Sequence, residues 1–126
     1  QVDDVMVYTD KVWITYILDQ LLNNAIKYTK TEVTQEPTIR IHTKVTKQQI
    51  ELLVEDSGEG IQECDIRRIF EKGFTGSNYH NGKYKSTGMG LYMVDKIAKR
   101  LGHQIYAESQ YGKYTCFHIL FEVNES

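Results

Sequence analysis

Ser86-Thr87-Gly88-Met89-Gly90-Leu91-Tyr92 closes a glycine-punctuated stretch and opens an amphipathic pattern, and its reading organises the rest of the chain. Two glycines at i, i+2 let backbone N–H groups approach an anion with no Cβ in the way. A helix that starts there adds unpaired donors and a partial positive charge. Together they favour phosphate. Alone, a Gly-x-Gly also serves loops that need glycine only for positive φ. Two upstream features give this one its weight: Asp56-Ser57-Gly58-Glu59-Gly60-Ile61, and before it a helix with amides along one edge.

That first helix is expected over 10–28, with Asp10 as N-cap and Ile14, Leu18, Leu21, Leu22 and Ala25 on the buried face. Gln20, Asn24, Lys27 and Tyr28 follow i, i+4, i+7, i+8 and share one narrow stripe bordering that face. A solvated face accounts for Lys27. It accounts poorly for Asn24, a mediocre helix former whose amide needs partners at the edge of a core. A neutral amide oxygen is a hard ligand suited to Mg²⁺ carrying phosphates. Asp56 ends the buried-looking run Ile50-Glu51-Leu52-Leu53-Val54-Glu55. A carboxylate there can accept from an exocyclic amine while Gly58 and Gly60 admit a flat ring, although Asp-Ser-Gly is also an ordinary turn sequence.

Between and beyond these motifs, residues 38–46 alternate as a half-buried strand, with Ile39, Ile41, Thr43 and Val45 against Arg40, His42 and Lys44. Residues 49–55 are the antiparallel partner across Lys47-Gln48. Asp65 to Phe70 predicts a short helix on Ile66, Ile69 and Phe70, and Glu71 to Thr87 has no period and reads as a functional loop. A helix follows at 90–101 with Gly102 as its stop. Strands near 104–109 and 114–122 close the chain, with Phe117, Ile119 and Phe121 facing one way. The fold class is α+β: a two-layer α/β sandwich whose mixed, mostly antiparallel sheet has helices packed on one face.

Composition bounds the function. The chain has 126 residues, enough for one domain with its own core. A net charge of −2 gives no electrostatic case for nucleic acid, although Lys27, Lys72, Lys83 and Lys85 can build a local basic site. No apolar run is long enough to span a bilayer. Cys64 and Cys116 form no CxxC, which favours a reducing, intracellular setting over a disulfide framework. His42, His80, His103 and His118 show no metal-ligand spacing, and His42 and His118 are expected to point outward from strands.

The order of the motifs resembles the catalytic and ATP-binding domain of sensor histidine kinases, in the GHKL ATPase superfamily. Asn23-Asn24-Ala25-Ile26-Lys27-Tyr28-Thr29 looks like the N box and Asp56 to Ile61 like the G1 box. Ile69-Phe70-Glu71-Lys72-Gly73-Phe74 looks like the F box and Ser86 to Leu91 like the G2 box. The wording of 71–76 and 86–92 is similar to that of the short kinases that sense antimicrobial peptides or envelope stress. The resemblance implies ATP and Mg²⁺ as cofactors, with Asn24 as the metal ligand and Lys27 near the phosphates. It implies Tyr28 lining the base pocket, Asp56 on the adenine amino group, and Gly58, Gly60 and Ile61 shaping that pocket. Lys85, Thr87, Gly88, Met89, Gly90 and Leu91 would meet the phosphates from the lid and helix start, and Thr115 would touch the base side.

Two positions depart from the pattern. Gly112-Lys113-Tyr114-Thr115 carries Tyr114 where the G3 box has glycine. Gln20 stands where hydrolytic members carry a glutamate general base, and an amide cannot take a proton from water. Phosphoryl transfer to an external nucleophile depends on positioning and charge stabilisation, and survives that change. None of the four histidines has the phosphoacceptor setting, so no nucleophile is expected here. The expectation is a single catalytic domain over 1–126, monomeric by itself and cut from a longer homodimeric kinase. The acceptor histidine would lie on a separate dimerisation domain, a response regulator would take the phosphoryl group, and the domain would be cytoplasmic beneath a membrane-anchored parent. Rival readings are a GHKL ATPase, a serine-directed protein kinase, or an interaction module that binds no nucleotide.

Overall fold

The structure, a computed structural model, describes residues 9–29, 38–46, 49–58, 60–74 and 90–122, with the side chains of 27–29 outside the description. Its elements are α1 (Lys11–Thr29), β1 (Ile39–Val45), β2 (Gln49–Asp56), α2 (Gly90–Arg100), β3 (Gln104–Gln110) and β4 (Tyr114–Glu122). The strands form one sheet in the order β1-β2-β4-β3. Among the described residues each neighbouring pair is antiparallel. Both helices lie on one side, α1 against β2 and α2, and α2 against β3.

Local chemistry sets the helix ends. Asp10 caps α1: its Oδ1 accepts from Trp13 N–H at 3.0 Å, and its carbonyl accepts the first helical bond from Ile14 at 2.9 Å. Helix α2 stops at Gly102, whose φ of +81° is left-handed. His103 N–H then returns to the Ala98 carbonyl at 2.8 Å and Gly102 N–H to Lys99 at 3.1 Å, the two bonds of a Schellman cap. The cap aims His103 inward. Its ring meets the edge of Phe121 with centroids 4.6 Å apart, and its Nε2 bonds the Thr9 hydroxyl at 2.6 Å.

Register decides which side chains make the core. Ile50, Leu52, Val54 and Asp56 share one face of β2, and register places Thr115, Phe117, Ile119 and Phe121 beside them. Against these pack Ile17, Leu21, Val94, Ile97 and Ala98 from the helices, with Ile17, Leu21, Val94 and Ile119 fully buried. Each such side chain stabilises the fold by about 1.5–3 kcal/mol through removal from water.

Residues 62–74 correct one expectation. In place of a helix over 65–70, four successive turns step by three residues, with N–H groups of Asp65, Arg68, Glu71 and Phe74 bonding Gln62, Asp65, Arg68 and Glu71 carbonyls at 2.8–3.2 Å. Tertiary packing explains the outcome. Ile69 is buried, and Phe70 meets Phe117 edge-on at 6.3 Å, so the apolar spacing marked a packed surface that turns serve as well as a helix.

Candidate functional site

One end of the candidate site lies where β2 finishes beside the start of β4. Asp56 pairs directly with Thr115, which puts both side chains on the helix side of the sheet. They are 3% and 5% exposed. Asp56 Oδ1 accepts from Gly58 N–H at 2.9 Å, which fixes one carboxylate oxygen and leaves the other for an external donor. Burial raises the Asp56 pKa to about 6; the Gly58 bond opposes that shift and neighbouring Glu55 adds to it. The group is therefore an anionic acceptor at neutral pH, held at an electrostatic cost.

Ser109 locks this end. Its Oγ donates to the Tyr114 carbonyl at 2.6 Å and accepts from Ile61 N–H at 2.7 Å. A serine has one hydroxyl proton, already committed to that carbonyl, so the 3.0 Å contact with Thr115 Oγ1 has Thr115 as donor. The Thr115 oxygen keeps its lone pairs for a ligand. Tyr114 leaves this arrangement intact, since only its backbone carbonyl takes part.

Gly60 shows a second reason for its residue type. At φ +76° a Cβ would lie 2.4 Å from the Gln110 carbonyl oxygen and 2.9 Å from Tyr111 Cα. Its lack of a side chain lets the β3–β4 turn close on the loop that follows β2.

The other end lies at the start of α2. Gln20 reaches the first residue of that helix, so that a Cβ on Gly90 would sit 2.8 Å from Gln20 Oε1. Asn24 follows one turn later, about 6 Å along the axis at about 1.5 Å per residue. Gln20 therefore lies against the start of α2, where the first N–H groups have no intrahelical partner. Neutral amide oxygens such as those of Gln20 and Asn24 are hard donors of the type Mg²⁺ accepts, and neither adds negative charge. Leu91 is half-buried and packs against the core. The Lys27 and Tyr28 side chains, and Lys85, Thr87, Gly88 and Met89, lie outside the described residues.

Sequence reasoning missed Ser109, and it set His118 on the outward face without the cover that side chain has there. His118 does sit on the face turned away from the helices, yet it is 3% exposed, because Tyr106, Glu51 and Glu108 cover it. The i, i+2 parity of Cys116 and His118 was legible; the register that brings Tyr106, Glu108 and Glu51 to them was not.

Comparisons with known proteins bear on the family and the fold. The family model described as histidine kinase-, DNA gyrase B-, and HSP90-like ATPase matches residues 9–125. Sensor protein kinase GraS of Staphylococcus aureus strain MRSA252 is 39% identical over 118 residues, covering 94% of this chain and 32% of GraS. Sensor histidine kinase GraS of strain Mu50 is 39% identical over 121 residues, covering 96% of the chain and 33% of its own length. The chain thus spans about a third of the curated relatives it matches. Among solved structures, the nucleotide-free catalytic domain of histidine kinase ThkA superposes with a TM-score of 0.76 at 27% identity, covering 96% of this chain and 76% of that one. The mycobacterial sensor histidine kinase MprB gives a TM-score of 0.82 at 19% identity, covering 97% and 80%, which establishes the shared fold.

Proposed function

This chain belongs to the histidine kinase-, DNA gyrase B-, and HSP90-like ATPase family, and from that premise we propose that it is the catalytic domain of a two-component sensor kinase. It binds ATP·Mg²⁺ and presents the γ-phosphoryl group to a histidine on the parent's dimerisation domain, from which a response regulator takes it. The observation that carries this reading is Asp56: a buried carboxylate with one oxygen fixed by Gly58 and the other unclaimed by that bond. Such a group is matched to the exocyclic amine of adenine. Thr115, with its proton given to Ser109, supplies a neighbouring acceptor.

Toward the phosphates, Asn24 would hold Mg²⁺ through its carboxamide oxygen, and the metal when bound spreads the charge of the β- and γ-phosphates. The start of α2 at Gly90 offers N–H donors to the same oxygens. Lys27, Lys85, Thr87, Gly88 and Met89 complete this phosphate-side set as the family pattern assigns them, and Tyr28 the base side. Gln20 decides what happens next. It lacks a basic site, so water at the γ-phosphate keeps its proton and hydrolysis is slow. A histidine docked in line brings its own lone pair.

The parent is proposed to be a homodimer anchored in the cell membrane, with this domain in the cytoplasm and monomeric when isolated. Among the described residues no helix is long and apolar enough to cross a membrane. The test mixes the chain with the parent's dimerisation domain and γ-labelled ATP. The expected product is acid-labile, base-stable phosphate on the acceptor. Rapid release of free phosphate by the chain alone would favour a hydrolytic ATPase, acid-stable phosphate a serine-directed kinase, and absence of nucleotide binding an interaction module.

A further inference from the structure

The sheet face turned away from the helices carries a second constellation that ATP binding does not use. Register sets Glu108 opposite Cys116 and Tyr106 opposite His118 across β3 and β4. On the far side of β4, Glu51 of β2 reaches His118 diagonally. The His118 ring lies flat on Tyr106, with centroids 4.4 Å apart and planes 5° from parallel. Its Nδ1 meets the Glu51 carboxylate, which also accepts from the Tyr106 hydroxyl at 3.2 Å. Its Nε2 faces Glu108 Oε1 at 2.7 Å. One ligand atom from each of Glu108, Cys116 and His118 lies within 4.8 Å of the other two.

We propose that Glu108, Cys116 and His118 form a zinc site on this face, with Glu51 as the carboxylate that orients the histidine. Three features carry the assignment. First, the donor set is one sulfur, one imidazole nitrogen and one carboxylate oxygen, which suits borderline-soft Zn²⁺ and not the all-oxygen preference of Mg²⁺ or Ca²⁺. Second, the ring is already fixed as metal-bound histidines are, with Nδ1–H given to a carboxylate so that Nε2 points at the metal. Third, charge balances: thiolate and Glu108 carboxylate offset the dication.

Burial of Cys116, with Glu55, Glu108 and Glu51 around it, pushes its thiol up to about 12, so without a cation the sulfur stays protonated. Zinc binding forms Zn–S, Zn–N and Zn–O bonds and releases the thiol proton and the proton shared by Nε2 and Glu108 to solvent, with no change of oxidation state. The Nε2–Oε1 separation opens from 2.7 Å to the roughly 3.3 Å that tetrahedral ligands about 2.0–2.1 Å from zinc require. Glu108 can supply that movement, since its side chain is 55% exposed, and the same open side admits the ion and a fourth, water ligand.

The test titrates the tag-free 126-residue chain with Co²⁺ in excess Mg²⁺, then displaces it with Zn²⁺ against a chromophoric chelator. The expected result is one equivalent of tetrahedral cobalt with a thiolate-to-metal charge-transfer band, removed by zinc. Cys116→Ser should abolish that band. Glu108→Gln, on an exposed side chain that does not threaten folding, should weaken zinc at least tenfold. Glu51→Gln should weaken it by about 10- to 100-fold while the charge-transfer band persists. Cys64→Ser should change nothing. Absence of a one-equivalent tetrahedral spectrum, a band that survives Cys116→Ser, or a band lost in Cys64→Ser would overturn the site.

Discussion

Replacing Asp56 by asparagine should make the domain more stable and worse at its task. At pH well below the ordinary carboxyl pKa of 3.8 the side chain is neutral in both folded and unfolded chains, and the fold bears no cost. Between about 4 and 6 the unfolded carboxyl ionises first, so stability falls as pH rises through that window and then levels off. The shift of about two units corresponds to about 3 kcal/mol at pH 8 and about half that at pH 5. Asparagine has the same shape, and its oxygen can keep the Gly58 N–H bond, so the variant sheds the penalty. Urea denaturation of both proteins from pH 4 to 8 should give curves that diverge with rising pH, the variant ahead by about 3 kcal/mol at the top. ATP affinity should move the other way. With the amide oxygen committed to Gly58, its NH₂ faces the adenine NH₂, donor against donor, and calorimetry should show at least about a hundredfold loss. Parallel stability curves would refute the buried-charge argument. Unchanged ATP affinity would remove Asp56 from the base pocket.

Three further outcomes follow from the same geometry. Asn24→Ala should abolish autophosphorylation of the full-length kinase while leaving Mg²⁺-free nucleotide affinity within about twofold; wild-type transfer rates would remove the metal role. Gly60→Ala places a Cβ 2.4 Å from a backbone oxygen at a positive φ, so it should cost at least about 2 kcal/mol in denaturant unfolding, whereas a near-neutral effect would mean the turn does not rest on this loop. Gln20→Glu restores a general base beside the start of α2 and should raise phosphate release by the isolated chain at least tenfold. No increase would show that Gln20 does not face the γ-phosphate.

The periodic segments were legible because a single period governs each. Helix α1 fell within a residue of its expected bounds, since Asp10 offers a cap and Leu21 and Ala25, both buried, repeat on one face; Ile17, fully buried a turn earlier, was not among the residues expected there. Strands β1, β2, β3 and β4 followed their alternation to within a residue. The segment 65–70 failed because Ile66, Ile69 and Phe70 mark a buried side without specifying the backbone beneath it. At the site, Asp56 and Gly60 could be named from local motifs. Ser109 could not, because it acts through Ile61 and Thr115, brought to it by chain closure and register. The outer cluster was hidden for the same reason. Cys116 and His118 show their common face by parity, but Glu51 is joined to them only by the β2–β4 pairing.

The central claim is that one nucleotide reaches from the Asp56–Thr115 end to the Asn24–Gly90 end. Nuclear magnetic resonance of the labelled chain tests it most directly, with ATP·Mg²⁺ titrated first and a trace of paramagnetic Mn²⁺ added afterwards. The account predicts shift changes at Asp56, Gly58 and Thr115 from the base, followed by selective broadening at Asn24, Gln20 and Gly90 from the metal. Broadening centred on Asp56, or shift changes confined to one end, would contradict it.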